Sequence, residues 1–286
     1  MPLHRSPVRD DVGVSNDLEY IRGLARSAAA LVAEQAGNAE RLTKTHATTT
    51  AEAVTAWDRA SQRHIIAALR ARFPADGIIG EESEDGAGIT NLAGANRRTW
   101  VIDPIDGTNN FVAGLGCWAV CIGLLEDGFP VLGVVHDVAR DVTYAAARGE
   151  GAWANRCRVQ CVPDGLSDRS LMMMTCNLVR PDGSLPAWFL RWTRQVWRLR
   201  MLGSAALEAV QVGAGVAHGA ITMHGKLWDL AAAAAIVIEA GGVVSDLAGR
   251  PVFPINLTGY QGAKVPFLAA GPGAHAQLLA ELADPS

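Results

Sequence analysis

No stretch of this sequence is long and apolar enough to cross a bilayer: the longest strongly apolar run, Leu230 to Ile238, stops at Glu239. The N-terminal text MPLHRSPVRDDVGVSNDLEY also lacks an apolar core of signal-peptide length, so a cytoplasmic protein with no membrane partner is expected. Basic charge is not in excess. With 25 Lys and Arg against 29 Asp and Glu, the formal net charge of −4 gives no general attraction to a nucleic acid polymer or an anionic lipid surface. Cysteine is scarce and odd in number. The five thiols fall as Cys117/Cys121, Cys157/Cys161 and Cys176, which argues against a disulfide framework. Both C-x-x-x-C pairs lie in strand-like text without tight Gly turns, so buried free thiols are expected rather than zinc ligands. There is no G-x-x-x-x-G-K-[ST] loop, no G-x-S-x-G elbow and no cysteine in a recognisable nucleophile motif. A small soluble molecule is the expected partner.

Apolar content is what the chain does have: 49% of 286 residues, enough for one large domain or two closely packed ones. Residues 1–14 read as a loose tail, after which Ser15-Asn16-Asp17 offers caps for a helix facing inward through Leu18, Ile21, Leu24, Ala28, Leu31 and Val32. A second helix follows Thr48-Thr49-Thr50, points Val54, Trp57, Ile65, Ala68 and Leu69 inward, and stops at Phe73-Pro74. GIIGEES is a short strand ending on Glu81-Glu82. From Arg98 to Trp153, strand-like runs alternate with turn signals such as Glu126-Asp127-Gly128, the pattern of an antiparallel meander. After about Val162, strands and helices alternate up to a final strand PFLAAG. The change of pattern divides the chain into an N-terminal α+β domain, 1–165, and a C-terminal α/β domain, 166–286, with no low-complexity linker.

The acids lie where apolar elements end. In WVIDPIDGTNNF, Trp100 to Phe111, Asp103 closes an apolar run before Pro104, and Asp106 opens a cap and first helical turn. Carboxylates at a strand end can hold hard cations, and free N–H groups of a first helical turn can hold an anion. Taken alone, the segment is more simply a turn at Asp103 and a capping side chain at Asp106. Glu81-Glu82 and Asp229, in GKLWDLAAAAAIVIEAGG, repeat the placement; alone they read as a solvated pair and an N-cap. Their recurrence favours a site for metal-bound phosphate.

Here the sequence resembles the inositol monophosphatase family. These are magnesium-dependent, lithium-sensitive phosphatases that also include fructose bisphosphatases, bisphosphate nucleotidases and some histidinol phosphatases. WVIDPIDGTNNF fits the first family signature and KLWDLAAAAAIVIEAGGVVSDLAG the second, with VTAWD, GEES and LGSAAL in the expected order. The resemblance implies a layered α-β-α-β-α sandwich, of α+β and α/β character, in which 1–165 carry the metal-binding motifs and 166–286 complete the active site. It implies two or three Mg2+ ions: a first on Glu81, Asp103 and the Ile105 carbonyl, a second on Asp103, Asp106 and Asp229, and a weaker third on Glu81 and Glu82. Thr108, polarised by Asp58, then works with Glu81 to orient and deprotonate the attacking water, while the N–H groups of Gly107 and Thr108 hold the phosphate. Gly203, Ser204 and Ala205 line the leaving-group pocket, with Asp106 and Asp229 also bordering the substrate. A homodimer acting on a small phosphorylated metabolite is implied as well.

The chain departs from the family pattern in places. Glu52 stands where an aspartate is usual and Lys44 is displaced, while Thr222 replaces an acid that meets substrate hydroxyls in inositol phosphatases. His224 and Lys226 either face the substrate or point to solvent. PAWFLRWTRQVWRLR interleaves aromatics with arginines, but Trp188, Trp192 and Val196 form one helical stripe, so a core or interface helix is expected rather than a nucleotide platform. The expected activity is magnesium-dependent phosphomonoester hydrolysis, with inositol monophosphate the first substrate. Histidinol phosphate and 3′(2′),5′-bisphosphate nucleotides are the alternatives within the enzyme class. A non-catalytic phosphometabolite-binding protein is the alternative outside it, and the joint presence of Glu81, Asp103, Asp106, Thr108 and Asp229 weighs against that.

Overall fold

The computed structural model describes residues 15–40, 42–43, 53–83, 90–92, 97–175, 178 and 182–283. The expected tail at 1–14, Lys44, Thr48-Thr49-Thr50, Glu52 and Cys176 lie outside the described residues. Helix α1 (Asn16–Val32) begins where Ser15 Oγ accepts the Leu18 N–H at 3.3 Å, and short strands β1 (Leu42–Thr43) and β2 (Ala53–Val54) follow. Helix α2 (Ala56–Arg72) starts at a capping box, in which Thr55 Oγ1 accepts the Asp58 N–H and Asp58 Oδ2 accepts the Thr55 N–H. Val54, expected inside this helix, therefore belongs to β2.

Strands β3 (Gly77–Gly80), β4 (Thr90–Asn91), β5 (Arg98–Asp106), β6 (Ala119–Glu126), β7 (Phe129–Asp137), β8 (Val142–Ala147), β9 (Gly151–Ala154) and β10 (Cys157–Val159) form one sheet, in the order β10-β9-β8-β7-β6-β5-β3-β4. From β5 to β9 it is the expected meander, which β10 extends by one strand; β3 joins β5 in parallel. Helix α3 (Thr108–Ala113) connects β5 to β6. The rest of the chain runs β11 (Leu171–Thr175), α4 (Ala187–Gln195), β12 (Arg198–Arg200), α5 (Ala205–Gly213), β13 (Gly219–Thr222), α6 (Leu227–Glu239), β14 (Val243–Ser245), β15 (Phe267–Ala270) and α7 (Pro272–Ala283). Its strands make a second sheet, β12-β11-β13-β15-β14, mixed in direction.

Side-chain alternation along the strands creates the layers. Trp100 and Ile102 of β5 pack with Leu18, Ile21, Ile65 and Leu69 of α1 and α2, whereas Val101 joins the core shared with α5 and α6. Met173 of β11 faces that same core, and Met172 and Met174 pack with Trp188, Trp192 and Leu278 on the far side. The order is helices, large sheet, helices, small sheet, helices: the expected α-β-α-β-α sandwich. Helix α6 lies very close to the large sheet because its face is an alanine run and the strands beneath it carry glycine. A Cβ on Gly133 would stand 2.1 Å from the Ala232 carbonyl oxygen, and one on its partner Gly123 2.8 Å from the Ala232 nitrogen.

Some expectations need correction. Leu31 is 50% exposed, because the arc of α1 set by Leu18, Ile21, Ala25, Ala28 and Val32 passes beside it. Cys121 and Cys161 are buried thiols, but Cys117 and Cys157 are half-buried and lie where the chain enters or leaves the sheet. Helix α7 follows the last strand and has no counterpart in the sequence reading. Trp188, Trp192 and Val196 of the Trp/Arg-rich segment are all buried, as the stripe requires. Among the described residues, no helix is long and apolar enough to cross a membrane.

Candidate active site

Two aspartates three residues apart on a regular strand face opposite sides. In β5 the ladder pairs Asp103 with Cys121 and Asp106 with Ala119, so three steps on β5 meet two on β6. This extra residue is a bulge, and it turns Asp103 and Asp106 to one side. Asp103 is 1% exposed, and its Oδ1 accepts the Ile105 N–H at 3.1 Å.

Asp106 does not cap the helix that follows it. Gly107 holds that position at φ 93°, and a Cβ there would lie 2.8 Å from the Cys117 carbonyl oxygen, so glycine is required. Asp106 reaches instead to the start of α5: Ser204 Oγ and the Ala206 N–H, at 2.9 Å, donate to Oδ2, and the Ala205 N–H donates to Oδ1 at 3.3 Å. A carboxylate at a helix N-terminus is stabilised by just such donors. Ser204 also caps α5 by accepting the Leu207 N–H at 3.3 Å. Ser204 and Ala205 thus hold one of the acids in place.

Thr108 Oγ1 lies 3.1 Å from Asp58 Oδ1 and 3.0 Å from the Ile105 carbonyl oxygen. Both are acceptors and the hydroxyl has one proton, so it donates to one of them and its lone pairs stay available to a further donor. Asp58 is fully buried and also accepts the N–H and O–H of Thr55, at 2.7 and 2.6 Å. Asp229 arrives from α6, where it accepts the Lys226 N–H at 2.7 Å from the third helical position rather than the N-cap. Asp103, Asp106 and Asp229 each present an oxygen within 4.8 Å of the others. Glu81 stands at the end of β3, alongside β5, and its N–H donates to the Ile102 carbonyl at 3.2 Å. Glu82, which alone reads as solvated, is 2% exposed and is clasped by Gln62, whose Oε1 accepts the Glu82 N–H at 3.0 Å and whose Nε2 donates to the Glu82 carbonyl.

A cleft of about 400 Å³ opens beside the acids, bordered by Gly203, Ala205, Thr222 and His224 as well as Asp106 and Asp229. His224 is exposed, with Nδ1 3.3 Å from Lys264 Nζ; partial burial and that ammonium lower its pKa. Lys226 is not among the cleft residues, and its ammonium lies 5.3 Å from the Trp228 ring centroid. Several contributors escaped the sequence reading. Asn110 Nδ2 donates to the Cys117 and Leu202 carbonyls, both at 2.7 Å, and ties the α3 turn to the segment before α5. Thr175, opposite Thr222 in the β11–β13 register, also lines the cleft, and neither hydroxyl has a partner among the described residues. Glu208, 1% exposed, accepts the N–H groups of Leu202 and Gly203.

Burial raises Asp103, Asp106 and Asp229. Asp103 is pushed well above the carboxylate range by desolvation and then by the charges of Glu81, Asp106 and Asp229. Desolvation likewise brings Asp229 to about 8 and Asp106 to about 6, in the latter against the hydrogen bonds from Ser204 and Ala206. Asp58 also rises to about 6 through burial. No described lysine or arginine forms an ion pair with Asp103, Asp106 or Asp229. An all-oxygen donor set with unneutralised negative charge fits a hard divalent cation such as Mg2+, and lacks the thiolate or imidazole that zinc favours.

The inositol monophosphatase family model matches residues 15–285. A fructose-1,6-bisphosphatase/inositol-1-monophosphatase of Thermotoga maritima is 38% identical over 197 residues, 69% of this chain and 72% of that protein. The histidinol-phosphatase of Mycobacterium tuberculosis is 38% identical over 203 residues, 68% of this chain and 75% of its own. A solved Thermotoga maritima IMPase structure matches with a TM-score of 0.80 at 30% identity, covering 94% of this chain and 97% of that one. The chain belongs to the inositol monophosphatase family and is a phosphoric monoester hydrolase.

Proposed function

We propose that this phosphatase hydrolyses a small polyol phosphate, inositol monophosphate first among them, using two or three Mg2+ ions held by Glu81, Glu82, Asp103, Asp106, Asp229 and the Ile105 carbonyl. The observation that carries the reading is the convergence of Asp103, Asp106 and Asp229 oxygens within 4.8 Å beside a cleft of about 400 Å³. Bare acids repel a phosphate dianion, and bound Mg2+ supplies the positive field that admits it and stabilises the developing charge. The chain's own groups do the rest. The donors at the start of α5 fix the orientation of Asp106. Thr108, anchored by Asp58 or Ile105, accepts one O–H of the attacking water, and Glu81 takes the other proton. The N–H groups of Gly107 and Thr108, which have no carbonyl four residues back within a helix, receive the phosphate. His224 borders the leaving alcohol, and Lys226 acts through its backbone by fixing Asp229.

The names of the Thermotoga maritima and Mycobacterium tuberculosis relatives support inositol, fructose and histidinol phosphates as candidates. Thr175 and Thr222 bring no charge to the cleft wall, which suits a neutral polyol better than the ammonium of histidinol. In this reading 1–165 bear most of the metal ligands and 166–286 complete the site, within a cytoplasmic homodimer that light scattering and fractionation would test. Phosphate release should require Mg2+, stop with chelator, and be fastest on inositol monophosphate in a panel of sugar, polyol, histidinol and nucleotide phosphates. Asp103→Asn should lower kcat by about a thousandfold or more while leaving the circular dichroism spectrum unchanged. No metal-dependent turnover on any panel member, or an active Asp103→Asn, would overturn the reading.

A further inference from the structure

Helix α2 has two charged faces with different surroundings. Asp58 is buried towards Thr108, whereas Arg59, Arg63 and Arg70 share another stripe. At 3.6 residues per turn these three fall within an arc of about 40° and span about 16 Å of helix. The other basic residues of α2 have partners: Arg72 donates to Asp17 at 2.9 Å and lies 4.4 Å from the Tyr20 ring centroid, and His64 Nε2 is 2.9 Å from Ser27 Oγ. Arg59, Arg63 and Arg70 form no ion pair with any described residue, and Arg59 Nε is buried without a hydrogen-bond partner among them.

Arg63 and Arg70 are exposed, but the stripe lies along a concavity rather than on a convex helix face. The three arginines, with Gln62, Glu82 and Asn91, line a cleft of about 680 Å³, a size typical of small-molecule sites. Among the described residues that line it, three guanidiniums stand against the one carboxylate of Glu82, a positive lining on a chain of net charge −4. The Arg59/Arg63 pair, one turn apart with no acid between, repels itself, and the unpartnered Nε of Arg59 carries a desolvation cost as well. An anion lying along the stripe would relieve the repulsion. One phosphate-sized group cannot reach guanidiniums spread over about 16 Å of helix, so the ligand needs separated charges.

We propose that this cleft is a second, non-catalytic anion site that takes a small molecule carrying two or more phosphate- or sulfonate-like groups, each forked by one or two of Arg59, Arg63 and Arg70. The assignment does not depend on the hydrolytic reading, since it involves neither metal nor turnover. It can be tested on the full-length protein, stripped of metal, by calorimetric titration with 1,3,5-benzenetrisulfonate, which is not hydrolysed and chelates poorly. Without metal the acidic cluster repels this trianion, leaving the arginines to bind it. Saturable, salt-sensitive binding is expected, weakened about tenfold or more in Arg63→Ala/Arg70→Ala and unchanged in Asp103→Asn. Arg63 and Arg70 are exposed, so the double variant should keep the wild-type melting temperature. No saturable heat up to about 10 mM, equal affinity in the double variant, or a gain of affinity in Asp103→Asn would each overturn the proposal.

Discussion

Glu208 sits in the first turn of α5 at 1% exposure, with two N–H donors on Oε1 and none on Oε2 among the described residues. Burial raises its pKa from 4.5 to about 8, against the hydrogen bonds from Leu202 and Gly203. The native state therefore keeps a proton that the unfolded chain releases between pH 4.5 and about 8. The native state binds more protons in that window, so stability falls as pH rises through it. Glu208→Gln keeps an acceptor for Leu202 and Gly203 and removes the titration. Urea unfolding in chelator should find the variant close to wild type near pH 5 and more stable near pH 8 by about 1–3 kcal/mol; a pH-independent difference would show that Glu208 is not the group responsible. The text GSAALEAVQ gave no warning of this. A single acid in an apolar helical run reads as the solvent face, and only the placing of α5 between two sheets removes the solvent. Asp103, Asp106 and Asp229 were legible because motif and placement agreed, whereas Asn110 and Thr175 act through partners far away in the chain.

Helix α6 and the β6–β7 hairpin show how an element sets the position of a site acid. The sequence makes both elements plain, with an Ala-rich helical run and strands meeting at Asp127-Gly128. It does not show that Gly123 and Gly133 meet. The turn pairs Glu126 with Phe129 and Leu125 with Pro130, a register that would set Gly123 opposite Leu132. A bulge between Leu124 and Leu125 shifts the pairing by one, and the two glycines come together under Ala232. The bulge between Asp103 and Asp106 is similarly silent in sequence and has a similar consequence, since it decides which face a residue meets. Gly133→Ala would drive a methyl towards the Ala232 carbonyl, 2.1 Å away, and should cost about 1–3 kcal/mol. Because α6 carries Asp229, the same change should weaken Mg2+ binding. Gly23→Ala, in α1 with nothing within 4 Å of the new methyl, should instead stabilise by about 0.5–1 kcal/mol without altering metal affinity. Equal melting temperatures and equal metal affinities for the two variants would refute this account of the α6 contact.

At the scale of the whole molecule, the fold concentrates negative charge from distant segments at one point between its two sheets. Glu81 and Asp103 come from the large sheet, Asp229 from the central helix layer, and Asp106 is held by the first turn of α5. Without cations this arrangement opposes folding as its acids ionise. Asp229 and Asp106, raised from 3.8 to about 8 and about 6, bind protons in the native state that the unfolded chain has released. Stability of the metal-free protein should therefore decline as pH rises from 3.8 towards 8. Mg2+ has the opposite dependence, because it must displace those protons and binds more tightly as pH rises. At about a hundredfold excess over its Kd, a ligand that binds only the native state adds about 2.7 kcal/mol, which shifts the melting temperature by several degrees in a chain of this size. The gap between melting temperatures in Mg2+ and in chelator should be small near pH 5.5 and widen towards about pH 8. Asp103→Asn, which removes one charge from the centre of the cluster, should raise the metal-free melting temperature near pH 8 and shrink the Mg2+ gap at every pH. A gap that stays constant with pH, or persists at full size in Asp103→Asn, would show that the cluster of acids is not where Mg2+ stabilises the fold.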